Sequence, residues 1–247
     1  MKNTRRISFL LFVFLFAYVT TTKSQAFYQF GYNAGFPTGL KNLNYIIDRY
    51  NETRPELSRQ MGHISYLDGT TGSFGWVMAN NGVFLEFGWS AGGQKTYSVM
   101  TDAANHPIRR DLYVKERMFD LSCGLNTDMN DDVSHLFVGA SLSAGALDIK
   151  TRSGLESKIK KVDWTNINEN EHIKFTIGVF VRYQYKNPGF YIQPYFNFLP
   201  KFLFQNDLTE TNEYLNPNTF QNDPSPLNVQ YNTFGIKIGF AFLSNEF

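Results

Sequence analysis

Residues 231–243 alternate with a period of two. Phe234, Ile236, Ile238, Phe240 and Phe242 fall on one side, and Thr233, Gly235, Lys237, Gly239 and Ala241 on the other. Successive side chains of a strand point to opposite faces, so this segment reads as a strand with one apolar face and one small or polar face. The pattern recurs along the chain. Residues 26–36 set Tyr28, Phe30, Tyr32, Ala34 and Phe36 against Gln29, Gly31, Asn33 and Gly35. Residues 173–185 set Phe175, Ile177, Val179, Val181, Tyr183 and Tyr185 against Lys174, Thr176, Gly178, Arg182 and Gln184. Further strands are predicted at 72–79, 83–92, 112–125, 135–148 and 190–204, eight in all.

The connections alternate too. Tight or short turns are predicted at Asn80-Asn81-Gly82, in the acidic stretch 126–132 and at Asn187-Pro188-Gly189, because Asn, Gly and Pro suit turn geometry. Long connections are predicted at 37–71, 94–110, 149–171 and 205–229. An even number of antiparallel strands with short turns at one end and long loops at the other is the arrangement of a transmembrane β-barrel. The expected fold is therefore all-β, an antiparallel transmembrane barrel of eight strands. Ten strands is the alternative, with residues 59–68 supplying extra pairing. Pro194 and Pro200 cannot donate to a ladder, and they predict a bulge or an early end in the seventh strand.

Lys2, Arg5 and Arg6 precede an apolar run at 7–19 broken only by Ser8, followed by Thr20, Thr21, Thr22, Lys23 and Ser24. That is the order of a cleaved secretory signal, and the run is shorter than the ~20 residues of a spanning helix. The expected division is a signal peptide at 1–24 and a barrel at 25–247, with cleavage after Ala26 as the alternative. No later apolar run reaches the length of a membrane helix. The mean hydropathy of -0.31 suits a wall in which only alternate residues meet lipid. Aromatics make up 17% of the chain, with 24 Phe and 14 Tyr to serve the lipid face and its girdles. A net charge of +1 argues against a nucleic-acid surface. The lone Cys123 forms no internal disulfide. The expected location is a Gram-negative outer membrane.

The Gln25 start, the first strand Phe30-Gly31-Tyr32-Asn33-Ala34-Gly35-Phe36 and the closing Phe234-Gly235-Ile236-Lys237-Ile238-Gly239-Phe240-Ala241-Phe242 carry a resemblance to a family. The chain resembles the small outer-membrane β-barrels of Bacteroidota, the group described as outer membrane β-barrel or PorT-like proteins. The resemblance covers nearly the whole mature chain as a pattern. It implies barrel architecture and a last strand read by the insertion machinery. Phe247 ends the chain but is out of phase with Phe240 and Phe242.

Four charges fall on inward positions: Glu86, Asp120, Arg182 and Lys237. An eight-stranded barrel is about wide enough to be filled by side chains, and buried charges must be paired. These four are expected to form an ion-pair network that plugs the lumen; a proton or ion path is the functional alternative. In the first long loop, Leu40, Leu43, Ile46, Ile47 and Tyr50 recur at helical spacing over 38–50, with Thr38 as N-cap and Pro55 beyond the stop. The stripe is expected either to lid the barrel rim or to dock a partner. Lys150, Arg152, Lys158, Lys160 and Lys161 form a cluster suited to lipopolysaccharide phosphates or simply to solvent, since Glu156, Asp163 and Glu169 are interspersed.

Enzyme signals are thin. His63, His106, His135 and His172 show no metal-ligand spacing, and Ser134-His135 is the one adjacent Ser–His pair. Asp128-x-Asn130-x-Asp132 starts like a calcium loop but lacks the glycine and the closing glutamate. No metal or other cofactor is expected. The function expected is non-enzymatic: a structural or accessory subunit of an outer-membrane complex for export, uptake or assembly. Its partners are outer-membrane lipid, lipopolysaccharide and other proteins of that complex. A small pore or ligand-binding barrel is the first alternative, and a lipid-modifying enzyme the second.

Overall fold

Eight long strands close into one antiparallel ring. They are β1 (Ser24–Pro37), β2 (Leu67–Met78), β3 (Val83–Thr101), β4 (Pro107–Met129), β5 (Ser134–Leu155), β6 (His172–Tyr185), β7 (Gly189–Phe198) and β8 (Thr233–Leu243). Each pairs with its neighbour in sequence, and β1 pairs with β8 from Phe27↔Leu243 to Pro37↔Thr233, which closes the ring. The computed structural model describes residues 24–78, 82–129, 134–168, 172–198, 206–217, 228–229 and 232–244. The expected signal segment therefore lies outside the described residues except for Ser24, as do Pro200 and the tip of the acidic turn at 130–132.

The ten-strand alternative does not hold. Leu57–Arg59 pairs only with the far tip of β3, Thr165–Asn166 pairs only with the upper part of β5, and Asn206–Asp207 pairs with Asn228–Val229 outside the ring. The predicted sidedness is observed. Phe30, Phe74, Phe119, Val179, Phe234 and Phe240 are exposed on the outer wall, while Phe27, Phe84, Phe137 and Arg182 are buried within it. The even strand count, the tight turns at one end and this apolar outer belt are the architecture of an outer-membrane β-barrel.

The start of β1 at Ser24 and the end of β8 at Leu243 lie at the end of the tight turns, the same end as Met78, Val83 and Ser134. At Gly82 the backbone takes φ +65, and a Cβ there would sit 2.3 Å from the Asn126 carbonyl oxygen. Turn conformation and the close approach of β4 both require glycine at that point.

Three elements differ from expectation. The loop predicted at 94–110 is mostly strand: β3 runs to Thr101 and β4 starts at Pro107, leaving a turn of five residues. β5 likewise continues to Leu155. Polar outward residues end an apolar belt, not a hydrogen-bonded ladder, so the strands continue into water. Tyr97 stiffens the extension, with Arg59 3.8 Å from one ring and Arg109 3.7 Å from the same ring. Asp102 Oδ1 tightens the tip by accepting from the His106 and Ala104 amides at 2.7 and 2.9 Å. The His106 N–H above all holds that carboxyl below its ordinary pKa, so its contribution is present above the ordinary carboxylate range and fades in acid. Finally, Pro194 produces no bulge. Phe180↔Tyr195 and Tyr183↔Ile192 keep one register across β6–β7, and the ladder is simply interrupted beside the proline.

The predicted helix is α1 (Leu40–Glu52), with Gly39 rather than Thr38 at the N-cap and no side-chain cap bond there. It ends where Thr53 Oγ1 donates to the Arg49 carbonyl at 2.9 Å. All five stripe residues are buried, between 0% and 3% exposed. They pack with Ile64, Leu112, Val114, Leu147 and Ile149 in one apolar cluster that stoppers the loop end of the barrel. Two asparagines bind the return segment to the helix. Asn44 exchanges bonds with Ile64 at 2.9 and 2.8 Å, and Asn51 does the same with Met61 at 2.9 Å each way. A second short helix, α2 (Thr209–Leu215), adds Leu208 and Leu215 to the stopper.

Leu43→Ala, at a fully buried stopper position, is expected to destabilise the barrel by roughly 2–5 kcal/mol. Lys41→Ala on the exposed face of α1 is expected to change it little. Denaturant unfolding in detergent micelles, followed by tryptophan fluorescence, checks both.

Candidate functional site

The inside of a small barrel offers one enclosed space, and its contents decide whether anything passes. The layer nearest the tight turns is aromatic. Phe27, Phe84, Phe137 and Phe180 gather there, with Phe84 and Phe137 edge to face at 5.4 Å between centroids. Arg182 stands among them. Its guanidinium lies 5.0, 5.3 and 5.7 Å from the Phe137, Phe180 and Phe27 rings. Its side chain is fully buried, and a buried guanidinium needs acceptors as well as rings. Nη2 donates to Glu86 Oε2 at 2.5 Å, and Nε donates to Gln193 Oε1 at 2.7 Å. The Gln29 amide, with its oxygen turned to the cation, accepts from Nη1 at 2.8 Å.

The next layer up holds the second pair. Lys237 Nζ donates to Asp120 Oδ2 at 3.1 Å. Tyr195 crosses over it, 5.6 Å from ring centre to Nζ, and donates to Asn33 Oδ1 at 2.9 Å. Gly235 is the reason the ring fits: a Cβ there would come 2.3 Å from the phenol oxygen. The polar space remaining among Asn33, Glu116, Asp120 and Lys237 is about 20 Å³, room for about one water. Above it the apolar stopper begins.

The four inward charges predicted from sequence are thus all in the lumen, but as two stacked pairs. Among the described residues no ion pair links Glu86–Arg182 to Asp120–Lys237. The reading of α1 as a partner-docking stripe requires correction. Leu40, Leu43, Ile46, Ile47 and Tyr50 are spent on the chain's own stopper and present no apolar surface to a partner. The loop that carries them is anchored at both ends to barrel strands, and the open mouth is the nearest surface that can take the stripe out of water.

Several contributors escaped the sequence reading. Gln193 and Tyr195 lie in a strand whose alternation is broken by Pro194. Leu112, Val114, Leu147 and Ile149 sit at inward positions expected to be polar.

Other candidates are dispersed. Ser134 and His135 are both buried at the tight-turn end. His63 Nε2 lies 2.7 Å from Asp48 Oδ1 on the exposed side of α1, and His106 pairs with Asp102 at the β3–β4 tip. His172 starts β6. Among the described residues no three His, Cys, Asp or Glu side chains gather to hold a metal. The calcium-like acidic stretch lies largely outside the described residues. Of the predicted basic cluster, Lys150 and Arg152 stand on the outer wall of β5, while Lys158, Lys160 and Lys161 belong to the turn of 3₁₀ helix at Glu156–Lys161.

No protein-family model matches the chain, and no curated protein matches it. Among solved structures, the chain is similar to Ail, the attachment invasion locus protein of Yersinia pestis. The likeness has 9% identity and a TM-score of 0.36, covering 89% of this chain and 99% of Ail. A second structure of the same protein, in complex with the heparin analogue sucrose octasulfate, aligns with the same values.

Arg182→Met leaves Glu86 buried without its cation. It is expected to cost about 3–5 kcal/mol, whereas the double variant Glu86→Leu/Arg182→Met recovers most of that loss. Thermal unfolding in detergent, read as the shift between folded and unfolded bands on an unheated gel, distinguishes the two.

Proposed function

We propose that this protein is a sealed, non-enzymatic barrel of a Gram-negative outer membrane, working as a surface scaffold within a larger outer-membrane complex. The closed lumen carries the reading. An aromatic layer with a fully buried Arg182 blocks one end and the α1 stopper blocks the other, and the polar pocket at Asn33, Glu116, Asp120 and Lys237 between them has room for about one water. This arrangement disfavours the small-pore alternative. The outer belt of exposed aromatics supports a lipid environment, because a water-soluble protein does not leave so large a continuous apolar surface open.

The working face is the extension of β3, β4 and β5. These strands have 19, 23 and 22 residues, against 10 and 11 in β7 and β8. Residues 107–118 of β4 lie beyond the last apolar row at Phe119, about 40 Å of strand. A stiff β surface, backed on its inner face by the stopper, is suited to docking another protein, and its outer face and tip replace the α1 stripe as the proposed contact. The resemblance to Bacteroidota PorT-like barrels, carried by the first and last strands, agrees with an accessory role in export, uptake or assembly. In that family reading the N-terminal segment is a cleaved signal.

Sidedness and partnership are tested separately. In a Cys123→Ser background, Ala104→Cys at the β3–β4 tip is expected to react with an impermeant maleimide on intact cells. Lys186→Cys at a tight turn is expected to react only after permeabilisation; the reverse result refutes the orientation. Gentle detergent extraction with an affinity tag is expected to bring down a stoichiometric protein partner. Replacing residues 97–111 by a two-residue turn is expected to lose that partner while the barrel stays folded. Recovery of the wild type as a lone monomer refutes the accessory role.

A further inference from the structure

Just above the apolar belt, the outer wall of β3–β5 is ordered into rows by its register. Trp89–Phe119–Ala144 is the last apolar row. Ala91–Arg117–Ala146 comes next, then Gly93–Lys115–Asp148, then Lys95–Tyr113–Lys150. The cations outnumber the acids here. Asp148 is 3% exposed and lies beneath two of them, 2.9 Å from Arg117 Nη2 and 3.8 Å from Lys150 Nζ. One carboxylate therefore orients two cations and leaves positive charge over. The Arg117 side chain remains half exposed. Lys115 makes no ion pair among the described residues. Lys95 is exposed and rests against the ring faces of Tyr113 and Trp164, 4.7 and 5.7 Å from their centres. Wall, carboxylate and rings hold this patch in place, unlike lysines waving from a loop.

Directly below the patch the wall is grooved. On β5 the outward residues Ala144 and Ala146 are small, while Phe119 on one side is 71% exposed and Phe175 on the other is also exposed. One groove of about 570 Å³ runs between Trp89, Phe119 and Ala146 and reaches Arg117 at its top. A second, of about 640 Å³, runs between Phe119, Leu142 and Phe175. The two share Phe119 and Ala144. Both lie within the belt, where the medium is hydrocarbon, so the occupant is a chain of methylene groups. The cations begin one strand step, about 7 Å, above Phe119.

The geometry points to a seat for one phosphorylated lipid of the outer leaflet, its acyl chains in the two grooves beside Phe119 and its phosphate on Arg117 and Lys115. The seat deepens the lipid-partner reading and rests on the membrane placement proposed above. A neutral lipid fills the grooves but leaves the cations unpaired. A free phosphate meets the cations but leaves the grooves empty. The site thus selects for both chemistries in one molecule, and the low-dielectric edge of the bilayer strengthens the ionic half.

The test is native mass spectrometry of the full-length barrel purified in detergent. The probes are diphosphoryl lipid A, a diacylglycerol that carries no phosphate, and inorganic pyrophosphate. Lipid A is expected to remain bound to the wild type at least tenfold more tightly than either control. Arg117→Gln/Lys115→Gln is expected to lower that affinity at least tenfold, while Arg117→Lys retains most of it. Ala144→Phe/Ala146→Leu, which fills the grooves, is expected to weaken lipid A and leave pyrophosphate unchanged. Equal retention of lipid A and the diacylglycerol overturns the proposal. So does pyrophosphate binding as tightly as lipid A, or lipid A binding that neither double variant alters. Gel mobility before and after heating confirms that each variant is folded. A wild type that folds in water without detergent would instead remove the membrane placement, a result distinct from a detergent-dependent barrel that ignores lipid A.

Discussion

The ladder between β1 and β8 is the interaction on which the rest of the molecule depends. In hydrocarbon no water is available to satisfy a free N–H or C=O, so a spanning sheet must have no edge. Residues about two hundred apart in sequence meet along that seam, from Phe27↔Leu243 to Pro37↔Thr233. Ala26 N donates to Ser244 Oγ and Ser244 N to the Ala26 carbonyl just beyond it, so the seam is tied off at its end. Closure creates an inside, and only then do buried charges acquire fixed partners and a helix acquire a mouth to fill.

The interior is organised by what each level can satisfy. At the tight-turn end, phenylalanine rings surround one guanidinium and leave its hydrogen bonds to Glu86, Gln193 and Gln29. At the loop end, α1 brings leucine and isoleucine over the inward Leu112, Val114, Leu147 and Ile149, which an open mouth would leave wet. The charges between them are two separate pairs, each compensated within its own layer. The four inward charges of this barrel are thus each paired within the lumen.

Strand number, order and sidedness were legible in the sequence because period-two alternation survives wherever one face meets lipid. The Gln193 and Tyr195 contacts were not legible, because they depend on which strands face each other across the lumen. The strand lengths were missed for a more instructive reason. On β4 the odd residues point outward throughout, yet their polarity reverses: Phe119, Leu121, Cys123 and Leu125 are apolar, while Asp111, Lys115 and Arg117 are charged. The inward residues reverse in the opposite sense, from Asp120 and Ser122 to Leu112 and Val114. β5 does the same between Ala146 and Asp148. Read with one rule for both halves, the upper half looks like a loop. Read with the rule inverted, it is the same strand passing from lipid to water on one side and from a polar lumen to the apolar stopper on the other.

That reversal sets a waterline. Moving the barrel down by one strand repeat would submerge Arg117, and moving it up would lift Phe119 into water; both are costly. The draught of this flank is thereby fixed to within about 7 Å, one two-residue step. A bilayer that is thicker or thinner must deform around β3–β5 because the protein cannot float to a new level. Among the described residues the opposite flank, built from β7 and β8, shows no such extension, so the annulus of lipid around this cylinder is expected to be uneven, stiffly registered on one side and compliant on the other.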